Sequence, residues 1–393
     1  MIGDFFLSTL LGALLGIGGA VPFLHTNLVL QFAQEFFSPV ALAGFAVAIC
    51  FSRLVFEAFS SAFLLIPSES QGASLLAGNR MTLSGRGLEA LEISARSFAL
   101  ALAASVLLLP FFLAFSPALY SEFKPFVLFA VMLVVFAMFG IERSAQKAFL
   151  GMLAFALSGA VGVFSLGGQN GDSALFALLT GLFGFSSVLA SHGGRETGRQ
   201  ENPASVPWHL NEALAGVGMG AFSSFLPAMS PAFLSALAFP FFERRGERAF
   251  IALNCGVVAS KALFDFAAVF SIGKARSGAA AAIKPAVFSQ SFGIWDVAAI
   301  AIFSFAFSLL LFHALLPRLL SAAGALARDS GAFSVLLFIA LLAAVFALSG
   351  ARGLLVAAIA TAAGLLPFLF GVKRSYSMGA LIVPAMVYLY ASA

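Results

Sequence analysis

Charge is what this sequence has least of. Asp, Glu, Lys and Arg together make up 10% of its 393 residues, against about 25% in soluble domains. A chain so poor in charge cannot clothe a water-facing surface, which excludes a soluble enzyme or binding module. Cysteine is scarce too. Cys50 and Cys255 both fall inside apolar runs, where thiols act as small hydrophobes rather than as a disulfide framework. The four histidines, His25, His192, His209 and His313, show no metal-ligand spacing. HExxH, P-loop, GxSxG and CxxC patterns are all missing, so metalloprotease, ATP-driven or redox chemistry finds no support, and neither a metal nor an organic cofactor is expected. The net charge of +4 comes from short loops, with no basic patch interleaved with aromatics, so nucleic acid is not a partner. The start, Met1-Ile2-Gly3-Asp4, lacks the basic region of a cleaved signal peptide.

What is present is apolar and bulky: 61% hydrophobic residues, 47 of them Phe, with a mean hydropathy of +1.03. The chain is therefore expected to be a multi-pass protein of the cell membrane, with the lipid bilayer as its solvent. Apolar segments run from Phe5 to Phe37, Val40 to Ile66, Leu91 to Phe115, Pro125 to Phe139, Ala148 to Leu166 and Ala174 to Ser191. The polar stretch Ser191 to Asn211 follows. The pattern then repeats: Ala213 to Phe242, Ala249 to Ile272, Trp295 to Leu320, Phe333 to Leu348, Leu354 to Phe370 and Met378 to Tyr390. The leading segments of the two sets are alike. One has Gly12-x-x-x-Gly16 with Pro22 beyond it, the other Gly216-x-x-x-Gly220 with Pro227 beyond it.

A helix crosses a bilayer in about 20 residues. Thirty-odd residues broken centrally by Gly and Pro are too long for one straight span and too short for two. A re-entrant pair of half-helices fits, with a kinked single span as the rival. Loop charges favour the hairpins. With both hairpins re-entrant, one side collects Arg80, Arg86, Arg143, Lys147, Arg195, Arg199, Arg244, Arg245, Arg248, Arg318, Arg328, Lys373 and Arg374, and the other only Lys124, Lys274, Arg276, Lys284 and Arg352. With both segments crossing, that bias nearly vanishes. The expectation is an all-α integral membrane protein of about ten transmembrane helices plus two re-entrant helical hairpins, arranged as two inverted-topology repeats. Residues 1–192 form the first repeat (hairpin 5–37 and five spans), 193–211 a cytoplasmic linker, and 212–393 the second repeat (hairpin 213–242 and five spans). Both termini lie outside.

Paired broken segments are the strongest sequence pointer to a transport site. Half-helix N-termini attract anions, and glycine lets a solute approach the backbone. The expected substrate-binding residues at the first tip are Gly18, Gly19, Pro22, His25, Thr26 and Asn27. At the second they are Ser223, Ser224, Pro227 and Ser230. Packing glycines are the plainer alternative. Each following span carries a cation and a carboxylate one helical turn apart, Arg53 with Glu57 and Lys261 with Asp265. Charges within a span are paired or line a cavity. Arg53 and Lys261 are expected to receive an anion, and Glu57 and Asp265, with Glu69 and Asn254, to serve ion coupling. A structural ion pair is the equal alternative. The loop IPSESQGASLLAGNRMTLSGRG, Ile66 to Gly87, either lines the solute path or is an ordinary solvated loop.

Four stretches resemble the large permease subunit of the tripartite tricarboxylate transporters, in the short form found in archaea. They are LGIGGAVPFLHTN within Gly12–Asn27, Phe51–Gly87 and above all IPSESQGASLLAGNRMTLSGRGLEA, LLTGLFGFSSVL at Leu178–Leu189, and Asn254–Ile283 with SIGKARSGAAAAI. Where the family usually turns its hairpins on Pro-Gly, this chain has Pro22-Phe23 and Pro227-Ala228. Ser68 stands where the family usually has Asp. The resemblance implies ion-gradient-driven uptake of a small organic anion such as a di- or tricarboxylate, coupled to Na+ or H+. It also implies a small membrane subunit and an extracytoplasmic binding protein as partners. The other function classes open at this stage are a membrane-embedded lipid- or polyprenyl-processing enzyme and a channel-like component of a larger complex. An enzyme would need a catalytic constellation, and the sequence offers none.

Overall fold

Apolar segments become helices here because a bilayer leaves no other partner for backbone N–H and C=O groups. The computed structural model describes residues 2–20, 26–64, 75–140, 142, 144–167, 171–190, 200–203, 205–226, 231, 234–235, 238, 245–328 and 330–391. Among them there is no β-strand, and seven helical stretches are long and apolar enough to cross a membrane. The protein is an all-α integral membrane protein. Its helices divide into two compact units, Met1–Phe123 with Glu196–Ala325, and Lys124–Arg195 with Leu326–Ala393. Each unit draws on both sequence halves, so the spatial grouping interleaves the two repeats read from hydropathy.

The first unit opens with α1 (Ile2–Leu15), which tightens into a 3-10 turn, Gly16–Ala20. The helix resumes as α2 (Thr26–Ala33) and then α3 (Pro39–Leu64). Residues 21–25, with Pro22 and His25, lie outside the described residues, as do Glu69, Pro227 and Ser230. The polar loop after α3 is not wholly loop. It contains α4 (Leu75–Leu83), with Met81 and Thr82 fully buried and Asn79 Nδ2 donating to the Ala62 carbonyl at 3.2 Å. The reading of Ile66–Gly87 as simply solvated therefore fails for its second half. Next comes α5 (Gly87–Phe123), which runs through Pro110 and Pro117.

From the other half, the first unit takes α10 (Leu210–Ser223), α11 (Gly246–Ser271), the short α12 (Gly278–Ala282) and α13 (Lys284–Phe288), and α14 (Ile294–Arg328). One continuous core joins α3, α5, α11 and α14, with Phe51, Phe56, Phe59, Phe98, Phe264 and Phe266 almost fully buried. The polar segment before α10 is docked, not free. Gln200 Oε1 accepts from the Gly87 N–H at 2.8 Å, while its Nε2 donates to the Thr82 carbonyl at 3.1 Å. Arg96 Nη1 donates to the Val206 carbonyl at 2.7 Å, and its guanidinium lies 5.3 Å over the Trp208 ring.

In the second unit lie α6 (Val127–Gly140), α7 (Ala145–Leu166), α8 (Gly171–Leu179) and α9 (Ser186–Ala190). A π-helical turn, Thr180–Phe185, joins α8 to α9. The helix α15 (Ser330–Phe370) breaks at Gly350, whose φ of 61° suits glycine alone, so the two apolar segments read there are two helices. After it comes α16 (Gly379–Ala391). The widened turn stacks directly on α15, since a Cβ on Gly181 would meet the Ala357 carbonyl and one on Gly364 the Leu182 carbonyl. Arg374 covers that turn, with Nη2 3.3 Å from the Phe183 carbonyl and the guanidinium 4.8 Å over the Phe368 ring. Burial pushes its pKa down to about 10, which leaves it charged at neutral pH. Tyr376 is fully buried, stacked on Phe139, and donates to Glu142 Oε1 at 2.8 Å.

Candidate functional site

The first unit contains the same joint twice. On α1, a Cβ at Gly12 would lie 2.6 Å from the Phe45 carbonyl, and one at Gly16 would overlap the Ser52 side chain. Only glycine lets α1 lie this close to α3. Ser52 Oγ is then within hydrogen-bonding distance of the Gly12 carbonyl, at 3.2 Å, and Ser60 Oγ of the Gly19 carbonyl, at 3.0 Å. On α10, a Cβ at Gly216 would lie 2.7 Å from Val257 N, and one at Gly220 would overlap Ser260 Oγ. Ser260 Oγ in turn lies 3.4 Å from the Gly216 carbonyl. In both halves the interlocking serine is followed at once by the cation, Arg53 or Lys261, and four residues later by the carboxylate, Glu57 or Asp265. The joint therefore presents each charge pair at the end of a glycine-faced helix, just before that helix gives way to its break.

Packing brings the two pairs to one neighbourhood. Phe51 of α3 lies 6.3 Å from Phe266 of α11, ring to ring. Arg53 follows Phe51 by two residues, and Asp265 directly precedes Phe266. The pairs differ in closure. Lys261 Nζ donates to both carboxylate oxygens of Asp265, at 2.8 and 2.7 Å, and Ser224 Oγ adds a third hydrogen bond to Oδ1 at 3.1 Å. In the other pair Arg53 Nε meets Glu57 Oε1 at 2.9 Å. Its Nη1 is buried and has no hydrogen-bond partner among the described residues. A guanidinium has five N–H donors, and a buried donor left unmatched costs about 1–3 kcal/mol.

Of the expected site residues, Gly18 and Gly19 are buried in the 3-10 turn and Thr26 opens α2, half-buried. Asn27 is on α2. Ser223 turns back to the Gly220 carbonyl at 2.8 Å, so its hydroxyl serves the helix end, whereas Ser224 reaches the charge pair. Asn254 is fully buried on α11, two turns before Lys261. Sequence reasoning passed over Ser52, Ser60 and Ser260. The signal was there, a serine directly before each intramembrane cation. It also passed over Arg276, counted only as a loop charge. Arg276 grips the end of α10, with Nε 3.1 Å from the Ser224 carbonyl and Nη2 2.9 Å from the Phe225 carbonyl. Among the described residues no cluster of His, Cys, Asp and Glu could hold a metal ion.

Comparison with known proteins fits this arrangement. The chain is similar to the uncharacterized protein MJ1079 of Methanocaldococcus jannaschii, 26% identical over 289 residues that span 71% of this chain and 72% of the relative. No solved structure matches it. The model of the tripartite tricarboxylate transporter TctA family matches residues 5–379, nearly the whole length. A multi-pass helical membrane protein with two glycine-jointed helices, each leading to a charge pair, thus belongs to the tripartite tricarboxylate transporter TctA family, a family of membrane permeases.

Proposed function

We propose that this permease is a secondary-active transporter for a small organic anion with the chemistry of a di- or tricarboxylate, driven by a Na+ or H+ gradient. The observation that carries the substrate class is the spare, buried Nη1 donor of Arg53 beside two charge pairs. A carboxylate satisfies that donor, and Arg recognises carboxylates with its planar fork. Lys261 is already matched by both oxygens of Asp265, which Ser224 also holds, so it tunes the field more than it receives the anion. The carboxylates Glu57 and Asp265 are the candidates for sensing the coupling cation.

In this reading the halves are inverted repeats, the two helix breaks are re-entrant tips near the midplane, the linker is cytoplasmic and both termini are outside. The charge asymmetry of the loops and the duplicated glycine–serine joint support it. By family, a small membrane subunit and an extracytoplasmic binding protein would complete the system. Purified protein in liposomes tests the function. Saturable, gradient-dependent uptake of labelled citrate or succinate is expected. Ohmic flux would make it a channel, and chemical turnover without flux an enzyme. For topology, a cysteine at position 198 in a Cys-free background should resist an impermeant thiol reagent applied outside intact cells, and its labelling there would overturn the orientation.

A further inference from the structure

We propose that Arg276 is a positioning residue for transport: reaching in from the loop after α11, it holds the end of α10 so that Ser224 stays on Asp265. The proposal rests on the transport reading above only for its uptake arm.

A helix leaves its last carbonyls without intrahelical donors, and a cation near that end satisfies them. The end of α10 shows that need plainly. After Ser223 the chain makes tight turns, with the Ser224, Phe225 and Leu226 N–H groups bonding back three residues. The carbonyls of Ser224 and Phe225 then point to Arg276, which takes one with Nε and the other with Nη2. Two carbonyls gripped by one planar fork fix both position and rotation of the segment. A lysine, with a compact ammonium on a flexible stem, cannot reproduce that.

The guanidinium is itself held. It lies 5.6 Å over the Tyr120 ring of α5, and Nη2 is 3.3 Å from Tyr120 Oη. Tyr120 in turn stacks on Phe225, which packs on Phe112, and Phe112 on Phe264 of α11. Arg276 thereby ties α5, α10 and the loop after α11 at one point. Ser224 carries the consequence inward. Its carbonyl belongs to Arg276 and its hydroxyl to Asp265 Oδ1, so the backbone that Arg276 fixes is the backbone that aims the hydroxyl. Lys261 and Asp265 sit on one helix and keep each other without Arg276. Loss of Arg276 should therefore free the tip from the charge pair and leave the pair formed.

The test uses Arg276→Gln and Arg276→Lys in the full chain, with three readouts. These are the melting temperature in detergent, the labelling rate of native Cys50 by N-ethylmaleimide, and the KM and maximal rate of labelled citrate uptake in liposomes. Cys50 is half-buried and adjoins Phe51, whose ring lies 6.3 Å from that of Phe266, the residue after Asp265, so it reports on that neighbourhood, whereas Cys255 is fully buried and silent. Both variants are expected to fold, to label severalfold faster at Cys50, and to lose uptake by about tenfold, in line with the cost of misplacing a substrate-orienting group. Lysine should recover the melting temperature but not the slow labelling. Wild-type labelling and kinetics in both variants would overturn the proposal. So would full rescue of every readout by lysine, or failure of both variants to fold, since Arg276 would then be a plain charge or a structural residue. A wild-type protein that takes up no citrate would count against that substrate alone, and the labelling arm would still decide the positioning role.

Discussion

Replacing Asp265 with asparagine removes the counter-charge of a lysine whose side chain is only 7% exposed. Of the two acceptor oxygens that Lys261 Nζ uses, an amide keeps one and puts a donor nitrogen in place of the other, and Ser224 Oγ loses a carboxylate acceptor. Breaking one partner of such a pair costs about 3–5 kcal/mol, because the other charge is left buried and uncompensated. Replacing both partners by methionine removes the charge and keeps the volume, a change that is often neutral or even stabilising. The double-mutant cycle should therefore return a coupling of about 3–5 kcal/mol, read by reversible unfolding in mixed micelles. The same cycle on Arg53 and Glu57 should return less. That pair has one close contact, and Glu57 is more exposed, at 13%. Uptake then separates structure from function. A Lys261→Met, Asp265→Met double mutant that folds and transports at the wild-type rate would refute any role in transport. A single mutant costing under about 1 kcal/mol would refute the buried-pair energetics themselves.

Gly220→Ala should cost about 1–3 kcal/mol, because its methyl meets Ser260 and Lys261 N, whereas Gly218→Ala on the same helix, with nothing within 4 Å, should be neutral in the same unfolding assay. Gln200→Ala removes a paired contact to Gly87 and Thr82 and should speed amide exchange at residues 82–87, with a stability loss of about 1–2 kcal/mol. Arg374→Met should leave the Phe183 carbonyl poorly matched in the π-turn and lower the melting temperature, by about 1–3 kcal/mol in free energy, without changing KM for labelled citrate.

Hydropathy made the spans legible almost to the residue. Val40–Ile66 is realised as Pro39–Leu64, and Ala249–Ile272 as Gly246–Ser271. The helix α10 ends at Ser223, before Pro227, while residues 21–25 and 227–230, where the breaks were expected, lie outside the described residues. Three features stayed hidden for physical reasons. The helix α5 outruns its apolar stretch to Phe123, running through Pro110 and Pro117, residues that helices in a membrane tolerate. The helix α4 was masked by polar residues whose burial depends on α3, not on their own hydropathy. The grouping into two interleaved units was invisible because hydropathy reports solvent and says nothing of neighbours. At the site, the charge pairs declared themselves by standing alone in apolar runs. Arg276 did not, since its partners are backbone carbonyls, which no residue type announces.

The twofold joint also explains why glycine and serine recur where they do. In lipid, helix association gains little from burying apolar surface, since the tails are as apolar as the helix, so close packing and interhelical hydrogen bonds must supply the attraction. Gly12 and Gly16 against Ser52, and Gly216 and Gly220 against Ser260, provide both at once. They do so directly before a charged residue that the bilayer would otherwise reject. The packing reading of these glycines is the one their contacts show, and by packing they set each cation beside the end of the neighbouring helix. What distinguishes the halves is not the joint but its closure. Asp265, itself held by Ser224, matches Lys261, while Arg53 keeps a donor in hand. A single anion entering between the pairs would gain most at Arg53, and an asymmetric gain is what lets a nearly symmetric scaffold hold one solute in one orientation.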